Sequence, residues 1–145
     1  MDNLTKEQRR KNMQNIRSAN TKAELFVARE LRKRGIYFAR NVKTILGKPD
    51  FVFRRKRVAV FIDSDFWHGH SKRCIMPKSN LSYWKLKIKR NIARDKIVSR
   101  CLKKMGWRVI RIWEYDTKHN FSKGLNRIIR SLKKVKKGVG NDKIL

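Results

Sequence analysis

The chain has 145 residues, of which 40 are Lys or Arg and 11 are Asp or Glu, giving a formal net charge of +29. Apolar residues make up 40 %, which excludes a disordered polyelectrolyte, and the length favours one domain with a real core. So one-sided a charge favours a polyanionic partner, nucleic acid above all, because binding releases counterions from closely spaced phosphates. The alternative is a thermophilic or merely soluble surface.

The sequence gives no sign of secretion or of a membrane segment. Its two cysteines, Cys74 and Cys101, are too few for a disulfide framework and suit a reducing cytoplasm. The N-terminus has no apolar stretch of the kind found in signal peptides, and the longest apolar run, 58–62, is far too short to cross a bilayer. We therefore expect a cytoplasmic protein without a membrane contact.

Two capping boxes open the first two predicted helices. The segment Thr5-Lys-Glu-Gln8 begins a basic helix over about 5–18, whose sparse apolar residues predict that it lies on a partner or on the rest of the fold. The segment Thr21-Lys-Ala-Glu24 begins a second helix, and Gly35 is placed to end it.

Apolar runs predict the strands and a basic turn joins two of them. The predicted strands cover residues 36–42, 51–53, 58–62 and 107–113. The run 58–62 is continuously apolar, as in a strand covered on both faces, and the turn 54–57 connects it to the strand before it.

Two later helices complete the predicted order. They cover about 80–105 and 121–135, so the order is helix, helix, three strands, helix, strand and helix. This order favours an α/β fold with a central mixed β-sheet flanked by helices on both faces. We expect a single domain over 1–135, followed by a basic flexible tail over 136–145.

The few acidic residues are concentrated where two predicted strands meet. Asp50 precedes one strand and Asp63 follows the next, so a hairpin brings them close, because adjacent strands lie about 4.8 Å apart. Carboxylates at one sheet end suit Mg²⁺ and metal-assisted phosphodiester cleavage, and the alternative is that each is a strand-end turn residue. Pro49-Asp50 before an apolar hairpin opens the PD-(D/E)xK nuclease pattern, whose closing lysine is absent from Asp63-Ser-Asp65.

Aromatic and histidine residues follow in the run Phe66-Trp67-His68-Gly-His70. Histidine is the commonest general base near neutral pH, and aromatic side chains beside a carboxylate site can stack on exposed bases. The alternatives are core packing for Phe66 and Trp67, and a polar residue at a helix start for His68.

Several motifs occur in order along the chain, namely Arg10-Lys-Asn-Met13, Lys48-Pro-Asp-Phe-Val-Phe53, Val58 to Gly69, Pro77-Lys-Ser-Asn80 and Gly106 to Glu114. Together, at these spacings, they resemble the very short patch repair (Vsr) DNA mismatch endonucleases over about residues 5 to 132. The resemblance implies a restriction-endonuclease-like fold. It also implies Mg²⁺-dependent nicking of double-stranded DNA on the 5′ side of the thymine in a T·G mismatch.

The resemblance also implies the active-site residues. Asp50 is the metal-binding carboxylate, with the main-chain carbonyl of Ile62 as the second protein ligand and Mg²⁺ or Mn²⁺ as the cofactor. His68 is the general base or water-orienting residue. Glu24 supports the site, although its place in a capping box accounts for it equally. Asp63 stands where many relatives have a second histidine, and it could join the metal site.

A third implication concerns DNA contacts. The residues implied are Phe66, Trp67, Trp84, Met13, Lys11 and Asn12. The first three match aromatic residues wedged into the base stack, Met13 approaches from the minor groove, and the first helix clamps DNA. Apolar wedges unstack a base step at a cost of a few kcal/mol, which is lower at a weakened T·G pair.

A structural zinc, which many relatives carry, is not expected. Asp65 and Tyr115 stand where relatives have zinc ligands, so only His70 and Cys74 remain as candidates, and tetrahedral zinc needs four. We expect a monomer that acts on mismatched duplex DNA at a prokaryotic nucleoid, with mismatch-repair proteins as candidate partners.

Two other functions are compatible with the sequence. One is a restriction-type or structure-specific DNA nuclease with the same active site and another trigger. The other is a DNA-binding protein that keeps the fold without activity, against which the joint presence of Asp50 and His68 argues.

Overall fold

A computed structural model describes the protein over residues 5–8, 21–66, 68–72 and 74–133. Within that part of the chain, one four-stranded sheet is flanked by four helices. The strands are β1 (Ala39–Arg40), β2 (Phe51–Phe53), β3 (Val58–Asp63) and β4 (Arg108–Trp113), and the helices are α1 (Lys22–Lys33), α2 (Leu81–Lys104), α3 (Glu114–His119) and α4 (Phe121–Lys133). None of these helices combines the length and apolar character that crossing a membrane requires.

Both predicted capping boxes are present. The Gln8 backbone N–H donates to Thr5 Oγ1 over 3.1 Å and the Thr5 N–H donates to Gln8 Oε1 over 3.0 Å. The Glu24 N–H donates to Thr21 Oγ1 over 3.2 Å, and the Thr21 N–H donates to Glu24 Oε2 over 2.9 Å. Helix α1 ends just before Gly35, whose φ of +67° is left-handed, as the sequence predicts.

Part of the first predicted helix, together with the tail, lies outside the described residues. Three predicted DNA contacts, Lys11, Asn12 and Met13, fall there, and so does the tail over 136–145. Residues 6–8 are helical, in agreement with the predicted start of that helix.

The sheet confirms the predicted α/β class. Its strand order is β1-β2-β3-β4, with β3 parallel to β4 and the other pairs antiparallel. The predicted hairpin over 51–62 is present. The predicted strand over 36–42 is wrong in length, since only Ala39 and Arg40 pair with β2 and Asn41, at φ +49°, leaves the extended backbone. The sequence did not predict α3.

Strand β3 is buried on both faces, which explains its unbroken apolar run. Val58 and Val60 belong to a core cluster completed by residues of α1 and α4. Ala59 and Phe61 pack instead with Leu102 of α2. Because successive strand side chains alternate between faces, the last residue of β3 points to the α2 side.

Candidate active site

A cleft of about 530 Å³ opens at the C-terminal end of β3. Its walls include Glu24, Asp50, Asp63, His68 and Asp95. The sequence predicted the first four of these as site residues, and the fold brings them together around one cleft. Their catalytic and metal-binding roles remain predictions.

The β2–β3 hairpin delivers Asp50 to the end of the neighbouring strand. The Asp50 backbone N–H donates to the carbonyl of Val60 over 3.0 Å. The backbone N–H of Ile62 in turn donates to Asp50 Oδ2 over 2.7 Å. This is the proximity of Asp50 to the end of β3 that the strand spacing predicts.

Glu24 faces Asp50 across the cleft with an unsatisfied oxygen. Its side chain is only 4 % exposed, and Oε2 serves the capping box. Oε1 is buried and receives no hydrogen bond from any described residue. The sequence left open whether Glu24 caps α1 or supports the site, and the two carboxyl oxygens allow both.

The two carboxyl groups change each other's ionisation. The pKa of Asp50 is raised to about 8, first by burial and then by a hydrogen bond to the Glu24 carboxyl and repulsion from it. The Ile62 N–H acts in the opposite direction. Two carboxylates cannot donate to each other, so the pair either shares a proton or needs a cation.

Asp63 lies on the other side of β3 and is paired with an arginine. Arg111 Nη1 donates to Asp63 Oδ1 over 2.9 Å, and the guanidinium carbon lies 4.2 Å from the centre of the Phe61 ring. Arg111 Nε also donates to Ser99 Oγ of α2 over 2.9 Å. Burial raises the pKa of Asp63, and His68 and Arg111 oppose that rise.

His68 is hydrogen-bonded through Nδ1 to Oδ2 of Asp95 and lies 3.7 Å from Asp63 Oδ1. A carboxylate only accepts hydrogen bonds, so Asp95 favours the tautomer with the proton on Nδ1. The Nε2 lone pair is then left to accept a proton, which is what a general base requires.

A turn after β3 presses the His68 segment against α2. The His68 N–H donates to the Ser64 carbonyl over 3.0 Å. Gly69 has φ +63°, and a Cβ there would lie 2.6 Å from Ile92 and 2.7 Å from Ile88. Only glycine allows this close backbone approach, which brings His68 to the helix that carries Asp95.

The sequence did not identify Asp95 or Arg111 as site residues. Both lie far along the chain from His68, on α2 and on β4, so no local pattern groups them. One signal was available, because Asp95 is the single acidic residue of the basic helix α2.

Glu114, at the start of α3, is a further cleft residue that the sequence did not predict. Burial raises the pKa of its carboxyl, and the charges of Asp65 and Glu24 raise that pKa further, whereas the charge of Lys118 lowers it. The cleft therefore concentrates negative charge on the side of Glu24.

Two of the three predicted aromatic wedge residues pack together beside the site. The rings of Phe66 and Trp84 meet edge to face with centroids 5.7 Å apart. Tyr83, which is 55 % exposed, lies 5.0 Å from Trp84, so the cluster continues to the surface. Trp67 lies outside the described residues.

The candidate zinc ligands make other contacts. His70 Nδ1 accepts from the Lys72 N–H over 3.1 Å, and Cys74 Sγ donates to the Phe66 carbonyl over 3.5 Å. Burial raises the pKa of the Cys74 thiol, as does Asp65. Among the described residues, no three His, Cys, Asp or Glu side chains are grouped closely enough to hold a metal ion.

Known proteins with similar sequences identify the family of the chain. A family profile described as DNA mismatch endonuclease Vsr matches residues 1–74. The type II nicking enzyme V.NmeDIP of Neisseria meningitidis serogroup C is 45 % identical over 122 residues, 83 % of this chain and 82 % of that protein. V.HpaIIP of Haemophilus parainfluenzae, also named a type II nicking enzyme, is 41 % identical over 123 residues, 83 % and 87 % of the two chains.

A third relative carries the family name itself. The DNA mismatch endonuclease Vsr of Escherichia coli strain K12 is 34 % identical over 109 residues, which cover 73 % of this chain and 69 % of that protein. The family profile spans about half of the chain, and the relatives cover most of it. The chain therefore belongs to the Vsr family of DNA mismatch endonucleases and is a strand-nicking DNA endonuclease.

Proposed function

We propose that this endonuclease requires Mg²⁺, or Mn²⁺ in its place, and nicks one strand of duplex DNA at or near a T·G mismatch. The observation that carries the proposal is the buried Asp50 and Glu24 pair, in which Glu24 Oε1 receives no hydrogen bond from any described residue, in the same cleft as a histidine held by a carboxylate. The name of the E. coli relative supports the mismatch as the trigger.

The residues present fit a divalent cation. Glu24 Oε1 is an orphaned buried acceptor, and the pKa of Asp50 is raised to about 8, so a cation would relieve both. We assign Asp50, the Ile62 carbonyl and Glu24 to its surroundings. Asp63 Oδ1 already accepts from Arg111, so we assign Asp63 to holding Arg111 rather than to the metal. When bound, Mg²⁺ supplies a Lewis acid that polarises the phosphoryl oxygen and acidifies water.

The protein side chains supply the proton transfer and the substrate contacts. His68 Nε2 accepts the proton of the attacking water, and Asp95 stabilises the imidazolium that forms. Lys43, Lys48 and Arg94 line the same cleft and hold the phosphodiester there.

The aromatic cluster next to the cleft supplies the mismatch selectivity. Phe66, Trp84 and the exposed Tyr83 present ring faces and edges on which an unstacked base can rest. A mispaired step costs less to open than a paired one, so the same contact favours mismatched DNA.

The test measures nicking of end-labelled duplexes that are matched, mismatched or branched, with and without Mg²⁺. The parental protein is expected to nick one strand at T·G only when the metal is present. Asp50→Ala is expected to abolish nicking and to keep DNA binding, because the basic surface is unchanged.

Three results would overturn parts of this proposal. Nicking by Asp50→Ala at the parental rate would remove the site assignment. Equal cleavage of matched or branched duplexes would replace the mismatch trigger by that of a restriction-type or structure-specific nuclease. Undiminished nicking in the presence of a chelator would remove the metal requirement.

A further inference from the structure

One side of α2 carries a stripe of cations that the active site does not use. At about 100° per residue, five basic residues fall within an arc of about 60° over 18 positions, a length of ~27 Å. These residues, called the basic stripe below, are Lys85, Lys89, Lys96, Arg100 and Lys103, and all of them are exposed.

The basic stripe and the cleft lie on opposite flanks of the helix. The cleft is bordered by Arg94, Asp95 and Val98 of α2, which lie roughly 110–170° around the helix axis from the middle of the stripe. Leu102, between the two flanks, is buried against the sheet. The stripe therefore faces away from the α2 residues that border the cleft.

Two depressions follow the stripe along the helix. Lys85 and Lys89 line one of about 380 Å³. Lys96, Arg100 and Lys103 line another of about 520 Å³, which also includes Asp63, His68, Asp95 and Arg111. These four residues line the cleft as well, so the depression and the cleft meet there.

The described part of the chain does not neutralise the stripe. Like charges one turn apart, as in Lys85 and Lys89, destabilise a helix. Within the described ranges no ion pair to an acid is recorded for any of the five, whereas Lys33 reaches Glu30 at 3.5 Å on α1. An exposed, linear array of uncompensated cations is complementary to a linear polyanion.

We propose that the basic stripe binds the phosphate backbone of a second segment of duplex DNA while the cleft holds the first. A duplex carries one charge per about 1.7 Å of axis, so ~27 Å of it presents about 16 phosphate charges to five cations. The stripe thus lets the protein hold one DNA segment while the cleft examines another. This inference goes beyond nicking and does not depend on the mismatch or on the metal.

The test uses the full chain and a charge-matched pair of variants, each lowering the net charge from +29 by five. The stripe variant changes all five stripe residues to Gln, a good helix former. The control variant changes five exposed basic residues outside α2 to Gln, namely Arg54, Arg55, Lys56, Lys123 and Lys133.

The protein is first bound to an immobilised short T·G duplex in the presence of a chelator. Capture of a second, differently labelled matched duplex is then measured at several salt concentrations. The parental and control proteins are expected to capture it. For the stripe variant, the slope of log K against log salt is expected to be smaller in magnitude by about 4.5. Over a fourfold change in salt, this difference in slope amounts to a roughly 500-fold difference in K. Circular dichroism confirms that both variants keep their helices.

Two results would overturn the inference. Equal loss of second-duplex capture in both variants, or no capture by the parental protein bound to its first duplex, would show that the stripe is not a second DNA site. A selective loss of first-duplex binding in the stripe variant would show that stripe and cleft hold the same DNA. Because capture is read without cleavage, a failure of the proposed nicking function remains separate.

Discussion

Two groups of carboxylates meet at the end of β3, and they differ in how their charge is compensated. Among the described residues, no basic side chain forms an ion pair with Asp50 or Glu24, which face each other, and no donor reaches Glu24 Oε1. Asp63 and Asp95, on the α2 side, are paired with Arg111 and His68. Within the part of the chain that the structure describes, the second group has basic partners and the first has none.

The difference separates two tasks within one cleft. A buried carboxylate pair without a counter-charge is unfavourable unless a proton or a cation joins it, so it is suited to recruiting a metal. A compensated cluster is rigid, so it is suited to holding a histidine in one orientation.

The uncompensated pair should make metal-free stability depend on pH. Folding raises the pKa of the Asp50 carboxyl from 3.8 to about 8, so its contribution to stability is fully present below pH 3.8. That contribution is lost as the pH rises through the folded value of about 8. Relative to Asp50→Asn, the parental protein should therefore lose roughly 4–6 kcal/mol of unfolding free energy between pH 4 and pH 9. Urea unfolding of both proteins in chelator measures this, and parallel pH profiles would contradict it.

The compensated cluster should depend on its arginine. Arg111→Met leaves Asp63, which is 5 % exposed, as a buried charge whose remaining basic neighbour is His68 at 3.7 Å. The expected loss is about 3–5 kcal/mol of unfolding free energy at neutral pH. The control is the double variant with Asp63→Asn, which should recover most of the loss. A single variant as stable as the parent would show that the pair is not a buried charge pair.

The second group should also act as a unit in proton transfer. Asp95→Asn removes the negative charge and lets the side-chain amide donate to His68 Nδ1, so the tautomer is no longer fixed and single-turnover nicking should fall about 10²-fold. In a His68→Ala background the same change should add little, because residues that act together are not additive. A full additional loss of nicking rate in that background would show that Asp95 acts independently of His68.

Metal requirement should distinguish the two groups directly. Glu24→Gln should raise the Mg²⁺ concentration for half-maximal nicking about tenfold, since it removes one negative charge beside Asp50. Gln also fits the capping box, so α1 should be kept. Asp63→Asn is the matched control and should leave the Mg²⁺ requirement unchanged. Equal shifts of the half-maximal Mg²⁺ concentration in the two variants would contradict the proposed division of tasks.

The aromatic cluster lies outside both groups and should affect selectivity alone. Trp84→Ala removes a stacking surface worth about 1 kcal/mol, so the ratio of T·G to matched nicking should fall roughly fivefold. Tyr115→Ala, an aromatic stacked on His119 instead, is the control. An unchanged ratio in Trp84→Ala would remove the wedge role of that residue.

The parts of the fold that local chemistry decides could be predicted from the sequence. The capping boxes, the hairpin over 51–62 and the long helix before Gly106 depend on residues within a few positions of one another. The same holds for Asp50, which an antiparallel hairpin must bring to the end of the next strand. The short β1 was not predictable, because apolar spacing does not reveal the left-handed backbone of Asn41.

By itself, then, the sequence determined a basic DNA-binding chain, the α/β order of its elements and the position of Asp50 at a hairpin end. Only the tertiary structure decided which carboxylates are compensated. The packing of Gly69 on α2 brings His68 to Asp95, and the parallel pairing of β3 with β4 brings Arg111 to Asp63. These contacts join residues 27 and 48 positions apart, so they depend on the packing of whole elements and not on local spacing.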